Sequence, residues 1–200
     1  MMKCRLPFRS DDYKELIREV KDWPVPGVNF KDISGLLADP IAFDDVIYRM
    51  SLNLARSKHV GAIVSPDARG FLFGAPIASR LRIPFYMVRK PGKLPPPVTS
   101  IDYDYEYASG TLELSDLVDF GDLGNQKVVI VDDVNATGNT ALAITELVRK
   151  AGAQNIMYSC FMDLTFLQGS ARLNEQGILT QSLITYEDSR TRNYNNGIGK

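Results

Sequence analysis

Lys127-Val128-Val129-Ile130-Val131-Asp132-Asp133-Val134-Asn135-Ala136-Thr137-Gly138-Asn139-Thr140 reads as a buried strand, an acidic pair and a small-residue loop in immediate succession. Val128 to Val131 is an unbroken β-branched run, the pattern of a strand covered on both faces. Beyond the loop, Ile144, Leu147, Val148 and Ala151 recur at helical spacing, and Gly152 stands where a C-terminal cap belongs. In open parallel sheets ligands bind beyond the carboxyl ends of the strands, where this loop lies. A helix N-terminus with backbone N–H groups and the hydroxyls of Thr137 and Thr140 nearby is an anion site, phosphate above all. Carboxylates repel phosphate, so Asp132 and Asp133 must face a neutral, hydroxyl-rich part of the same ligand. A ribose 5-phosphate satisfies both demands, with phosphate on Ala136 to Thr140 and the 2′- and 3′-hydroxyls on the two acids. The segment has no Gly-Lys-Ser/Thr ending for a P-loop, and Gly138 alone is no dinucleotide fingerprint. The bland alternative, a buried strand with two solvated acids at its end, leaves the loop without a role.

Working outward, Ser10 or Asp11 can cap a first helix whose Tyr13, Leu16, Ile17 and Val20 form one apolar stripe. Asp22 to Ser34, with Pro24, Pro26 and Gly27, reads as a loop. Asp39-Pro40 opens a second helix carrying Phe43, Val46, Ile47, Met50 and Leu54 inward. Ala62 to Ser65 is a short buried strand, followed by Pro66-Asp-Ala-Arg-Gly70 and a helix from about Phe71 to Leu81. Pro84 to Val88 is the next strand, and Pro91 to Gly110 a long excursion before Thr111 to Leu114 returns as a strand. After the central unit come a strand at Ile156 to Met162, a polar helix from Phe166 to Glu175, a strand from Ile178 to Tyr186 and a loose tail, 187–200. The alternation predicts an α/β fold: one domain, with a mostly parallel central sheet flanked by helices.

Two hundred residues with 44% apolar content suffice for such a core. A net charge of −1 offers no global field for nucleic acid, so any anion site is local. Cys4 and Cys160 are too few for a disulfide framework and have no metal-ligand spacing; Cys160, in an apolar run, reads as a core thiol. No stretch has signal-peptide or membrane-span character, so a reduced, cytoplasmic enzyme without a membrane partner is expected. His59 is the only histidine, which excludes clusters of several histidines on a metal. It follows Arg56, Ser57 and Lys58 and reads as a solvated cap rather than the base of a triad.

Ser65-Pro-Asp-Ala-Arg-Gly-Phe71 again joins a strand end to a helix start, and Arg69 supplies a forked cation suited to phosphate oxygens. Arg89-Lys-Pro-Gly-Lys93 adds three cations just past another strand. Alone it would be a solvated basic turn; beside the acidic pair and its loop it supplies charge for a pyrophosphate.

The stretch from Val128 to Thr140 closely resembles the signature of the phosphoribosyltransferases, which bind 5-phosphoribosyl-1-pyrophosphate. Pro26-Gly-Val-Asn-Phe-Lys-Asp-Ile-Ser34, Asp67-Ala-Arg-Gly-Phe-Leu-Phe-Gly74, Arg89-Lys-Pro-Gly-Lys-Leu-Pro95 and Tyr103-Asp-Tyr-Glu-Tyr107 are similar, in the same order, to the adenine phosphoribosyltransferase family. The resemblance runs from about Asp22 to Tyr186. It implies the type I phosphoribosyltransferase fold with an N-terminal hood (about 22–38) and a flexible flap (about 91–110), conversion of adenine and phosphoribosyl pyrophosphate to AMP and pyrophosphate, Mg²⁺ held mainly through the substrate with no direct protein ligand, and a homodimer. Carried over to this chain, Asp132, Asp133, Asn135, Ala136, Thr137, Gly138, Asn139 and Thr140 hold the ribose phosphate. Asp67, Ala68 and Arg69, often with a cis peptide between the first two, hold pyrophosphate together with Arg89, Lys90 and Lys93. Asn29, Phe30 and Lys31 cover adenine, Leu164 lies on its other side, and Glu106 and Tyr107 sit on the flap. The implied catalytic set is Glu106, assisting proton loss from the purine, with Arg69, Asp132 and Asp133.

The chain departs from the family at Lys31, where arginine is usual, at Ala108 for glycine, and at Asn135 and Asn139 for apolar and glycine residues. Asparagine tolerates left-handed backbone, which lets the loop survive. Three alternatives compete: transfer to hypoxanthine or xanthine, a non-catalytic regulator that senses phosphoribosyl pyrophosphate and binds nucleic acid, and a plain nucleotide-binding scaffold. The regulator wants a basic recognition module that neither charge nor length supplies, and the scaffold leaves the cationic loops unexplained.

Overall fold

A computed structural model describes residues 8–105 and 108–187; Cys4, Glu106, Tyr107 and the tail from 188 onward lie outside the described residues. The chain forms two compact units, Met1–Arg49 and Met50–Lys200.

In the first unit, α1 (Ser10–Glu15) is capped where the Arg9 N–H donates to Asp12 Oδ2 at 2.7 Å. The predicted stripe does not continue as one helix. The chain leaves α1 at Leu16, and Val20 lies in β1 (Arg18–Lys21), opposite Phe30 of antiparallel β2 (Asn29–Asp32). The segment 22–34, expected to be a loop, therefore contains a strand. Its prolines and glycine occupy the connection, where Gly27 takes φ 89° and donates to Asp22 Oδ1 at 2.8 Å. Beyond them, cross-strand pairs hold Asn29–Asp32 extended: Arg18 with Asp32 at 2.8 Å, and Lys31 with Glu19. A short α2 (Ser34–Ala38) follows. Asp39 caps α3 (Pro40–Arg56) as the sequence predicts, its Oδ1 accepting from the N–H of Ile41 (3.1 Å) and Ala42 (3.0 Å). Val46, Ile47, Met50 and Leu54 are buried on the expected stripe, with Phe43 half-buried.

The second unit contains β3 (Val60–Pro66), α4 (Arg69–Leu81), β4 (Phe85–Val88), β5 (Val98–Tyr105), β6 (Ala108–Ser115), β7 (Lys127–Asn135), α5 (Asn139–Lys150), β8 (Asn155–Leu164), α6 (Gly169–Glu175) and β9 (Leu179–Tyr186). Five of these strands form a parallel sheet in the order β4-β3-β7-β8-β9. The pleat alternates the β-branched runs between two covered faces. Ala62, Val64, Val128 and Ile130 pack with Ala143, Ile144, Leu147 and Val148 of α5 and with Leu112 and Leu114 of β6. On the other parity Phe161 of β8 stacks on Phe73 of α4 at 5.7 Å. Each fully buried aliphatic side chain in these runs is worth about 1.5–3 kcal/mol, so the central strands anchor the fold. Gly152 ends α5 at φ 90°, the expected left-handed stop.

The excursion predicted for 91–110 is a hairpin in its second half: β5 and β6 pair antiparallel from Val98↔Ser115 to Tyr105↔Ala108. The polar helix expected from Phe166 starts only at Gly169, because Thr165–Leu167 form a tighter 3₁₀ turn. From β3 the chain steps outward to β4, whereas β7 takes the opposite flank of β3. Loops leaving β3 and β7 therefore diverge, and a crevice opens beyond their carboxyl ends.

Candidate active site

A cavity of about 250 Å³ occupies that crevice. Its walls are Pro66–Gly70, from the end of β3 into α4, and residues 132–141, from the end of β7 into α5, with Lys90, Tyr103, Leu112 and Tyr158 completing it. The two strand-to-helix joints singled out in the sequence thus face one space. Their approach is tight: a Cβ on Gly70 would stand 2.8 Å from Pro66 Cδ and 3.1 Å from Asp132 Oδ1.

Asp132 is half-buried on the cavity wall, and its Oδ1 accepts the Asp133 N–H at 2.8 Å. Asp133 is 2% exposed. Its Oδ2 lies 3.1 Å from Arg69 Nε, an ion pair that lacks the alignment of a hydrogen bond. Burial first, then the neighbouring Asp133 charge, holds the Asp132 carboxyl well above the ordinary carboxylate range. Burial also raises Asp133, with Arg69 pulling it back. Asp133 Oδ2, buried without a hydrogen-bond donor, and the Asp132 carboxyl on the cavity wall suit a ligand that brings its own donors, as a vicinal diol does.

The loop Ala136 to Thr140 lines the cavity and leads into α5, with Gly138 at φ 82° forming the left-handed step. Asn135 and Asn139 do not take left-handed backbone, contrary to the reason expected for their tolerance. Asn135 is accommodated by hydrogen bonds to Asp163 and Ser170, and Asn139 by one from Arg172.

The Asp67–Ala68 peptide is cis, as the resemblance implies. Asp67 Oδ2 accepts from the Lys90 N–H at 3.4 Å and from Arg89 Nε at 3.5 Å. Arg89 also donates to the Lys93 carbonyl at 3.2 Å and lies 5.9 Å above the Phe71 ring. Glu113 anchors the same turn by accepting the Gly92 N–H at 3.1 Å. Of the three cations in 89–93, Lys90 lines the cavity, Arg89 ties the turn to Asp67, and Lys93 is exposed.

Asn29, Phe30 and Lys31 lie on β2 of the first unit. Lys31 is buried and paired with Glu19, and Asn29 Nδ2 donates to Glu19 Oε2 at 3.0 Å. The Lys31 pair, first among its causes, holds the Glu19 carboxyl below its usual range. Half-buried Phe30 meets Trp23 edge-on at 4.4 Å. Leu164 is 7% exposed at the end of β8. His59 is exposed, as expected of a solvated residue. The sequence reading did not single out Leu112, Tyr158, Asp163, Ser170 or Arg172. Tyr158, a polar tip inside an apolar strand, carried a faint signal, since its hydroxyl donates to the Val134 carbonyl at 3.4 Å.

Residues 36–176 match the model of the phosphoribosyl transferase domain. The adenine phosphoribosyltransferase of Mycoplasmopsis agalactiae is 48% identical over 175 residues, 88% of this chain and 99% of the relative. Among solved structures, adenine phosphoribosyltransferase from Thermoanaerobacter pseudethanolicus superposes with a TM-score of 0.77 at 40% identity, covering 89% of this chain and 100% of the other. The enzyme of the same name from Saccharomyces cerevisiae, complexed with an imino-altritol bisphosphate and adenine, gives 0.78 at 32% identity, covering 88% and 98%.

Proposed function

The chain belongs to the phosphoribosyl transferase domain family, and from that premise we propose that it transfers the 5-phosphoribosyl group of phosphoribosyl pyrophosphate to adenine, giving AMP and pyrophosphate. The observation that carries this reading is the raised acidic pair Asp132–Asp133 standing between a phosphate-type loop and a cationic turn in one crevice. A ribose bearing phosphates at C5 and C1 matches that order of charges.

In the transfer, N9 of adenine forms a bond to ribose C1 as the C1–O bond to pyrophosphate breaks, with inversion. The departing oxygens gain negative charge, and the ring gains oxocarbenium character. Arg69 and Lys90, both on the cavity wall, stabilise the leaving group, with Arg89 and Lys93 extending that field. Asp132 and Asp133 accept the ribose hydroxyls and place negative potential beside the cationic ring. Glu106 takes the N9 proton, and Tyr107 with the rest of the 91–110 segment covers the centre against water. The family resemblance gives the base to Phe30 with Asn29 and Lys31, and to Leu164. Among the described residues no three His, Cys, Asp or Glu side chains form a metal cage. A donor set of one carboxylate pair beside a polyphosphate fits Mg²⁺ carried by the substrate, where it would neutralise pyrophosphate charge. The protein works as a homodimer in the cytoplasm. No helix among the described residues is long and apolar enough to cross a membrane.

Purified protein with Mg²⁺ and phosphoribosyl pyrophosphate should yield AMP from adenine and little nucleotide from hypoxanthine or guanine. Adenine donates a hydrogen bond at its 6-position where the oxopurines accept one, and such a mismatch can cost about 10⁴ in kcat/KM. Comparable AMP and IMP from an equimolar mixture would overturn adenine as the substrate while leaving the family intact.

A further inference from the structure

We propose that Asn135, Asp163 and Ser170 form a buried positioning lock that fixes the Ala136–Thr140 loop for the substrate's 5-phosphate; this rests on the reading of that loop as the phosphate cradle. Asn135 ends β7 and Asp163 sits opposite it in register near the end of β8. Asn135 Nδ2 donates to Asp163 Oδ1 at 3.0 Å and to Ser170 Oγ at 2.9 Å, and Ser170 Oγ donates to Asp163 Oδ2 at 2.7 Å. The three groups close a ring, and Asn135 and Asp163 are only 2% and 5% exposed. Ser170 is the second residue of α6, and that helix grips the loop directly. The Gly169 N–H donates to the Ala136 carbonyl at 3.1 Å, while Arg172 Nη1 donates to the Thr137 carbonyl at 2.7 Å and to Asn139 Oδ1 at 2.6 Å. In a trans peptide the carbonyl and the next N–H point opposite ways. Drawing the Ala136 and Thr137 carbonyls toward α6 therefore turns the N–H groups of Thr137 and Gly138 away from it.

The 5-phosphate is remote from the C1 chemistry, so its contacts should hold ground and transition states alike. Losing them should raise KM with little change in kcat. Asn135→Asp swaps the donor for a second acceptor at constant volume, and two carboxylates in one buried site coexist only by sharing a proton. At pH 8 this variant should raise KM for phosphoribosyl pyrophosphate and Kd for AMP by about 10- to 100-fold, the scale of a displaced binding group. The ratio to wild type should shrink toward one as pH falls, while inhibition by pyrophosphate stays unchanged. Arg172→Met, at an exposed position that leaves the core alone, should shift the same constants in the same direction. Unchanged KM in both variants overturns the lock. So does a fall in kcat and pyrophosphate affinity in step with KM, which marks general damage. A wild-type protein that makes no AMP would instead overturn the functional reading.

Discussion

At Asp132 a single carboxyl combines an energetic cost with the proposed contact to the ribose. Its position above the ordinary range has a defined consequence for stability. Between the unfolded carboxylate value of about 3.9 and its own higher value, the folded chain holds a proton that the unfolded chain has released. Stability therefore falls as pH rises through that window and stays lower above it. Asp132→Asn removes the loss, so at pH 8 the melting temperature should rise above that of wild type while transfer collapses. A variant that melts at or below wild type would show that the carboxylate does not destabilise the fold. Asp132→Asn with Asp133→Asn should nearly abolish turnover with the fold preserved, as circular dichroism would check. The same raised values set the pH profile. Ribose hydroxyls donate more strongly to ionised carboxylates than to protonated ones, so kcat/KM for phosphoribosyl pyrophosphate should fall on the acid side with a midpoint above the ordinary carboxylate range. An acid limb at about 4 or below would sever the link between the pair and ribose binding.

The elements legible in the sequence were those whose signals are local and agree. The β-branched run of β7, the stripe of α5 with Gly152 at its end, and the Asp39 cap of α3 each state one structure. Two hairpin strands were hidden by neighbouring punctuation. In β5, Ile101 and Tyr103 alternate inward with exposed Ser100 and Asp102, yet Pro95, Pro96 and Pro97 immediately before it suggest an open excursion. β2 sits in the same way behind Pro24, Pro26 and Gly27. The acidic pair, its loop and Arg69 were legible because each lies at a strand-to-helix joint. The layer behind the loop was not, because the end of β8 and the start of α6 meet Asn135 only in three dimensions. That layer leaves no space at Gly169, where a Cβ would stand 2.4 Å from the Ala136 carbonyl oxygen and 2.8 Å from Gly138 N. Gly169→Ala must push the loop, so KM for phosphoribosyl pyrophosphate should rise by about 100-fold with α6 retained. An unaltered KM would mean that the loop yields without consequence.

The proposed homodimer gives the basic turn 89–93 a part to play beyond its own subunit. Arg89 is engaged by Asp67 and the Lys93 carbonyl, and Lys90 already faces the cavity, whereas Lys93 is exposed and away from the cavity wall. Beside the turn in sequence, Met87 on β4 is 42% exposed, and Leu72, next to the Phe71 ring under Arg89, is likewise 42% exposed. An exposed lysine away from its own cavity wall, with exposed apolar residues elsewhere on β4 and α4, suits a proposed two-fold contact in which Lys93 serves the neighbouring site. Sedimentation should therefore show a dimer at assay concentration, and Met87→Glu should dissociate it by placing a charge in the apolar contact. Complementation tests the sharing directly. Lys93→Ala subunits keep their acids, and Asp132→Asn/Asp133→Asn subunits keep their lysine, so a mixed dimer has one complete site. Random pairing makes half the dimers mixed, and co-expressing two weak variants should restore roughly a quarter of wild-type activity if the contact is isologous. A fully active monomer would refute the shared site, and so would a co-expressed pair no better than the average of its two parents.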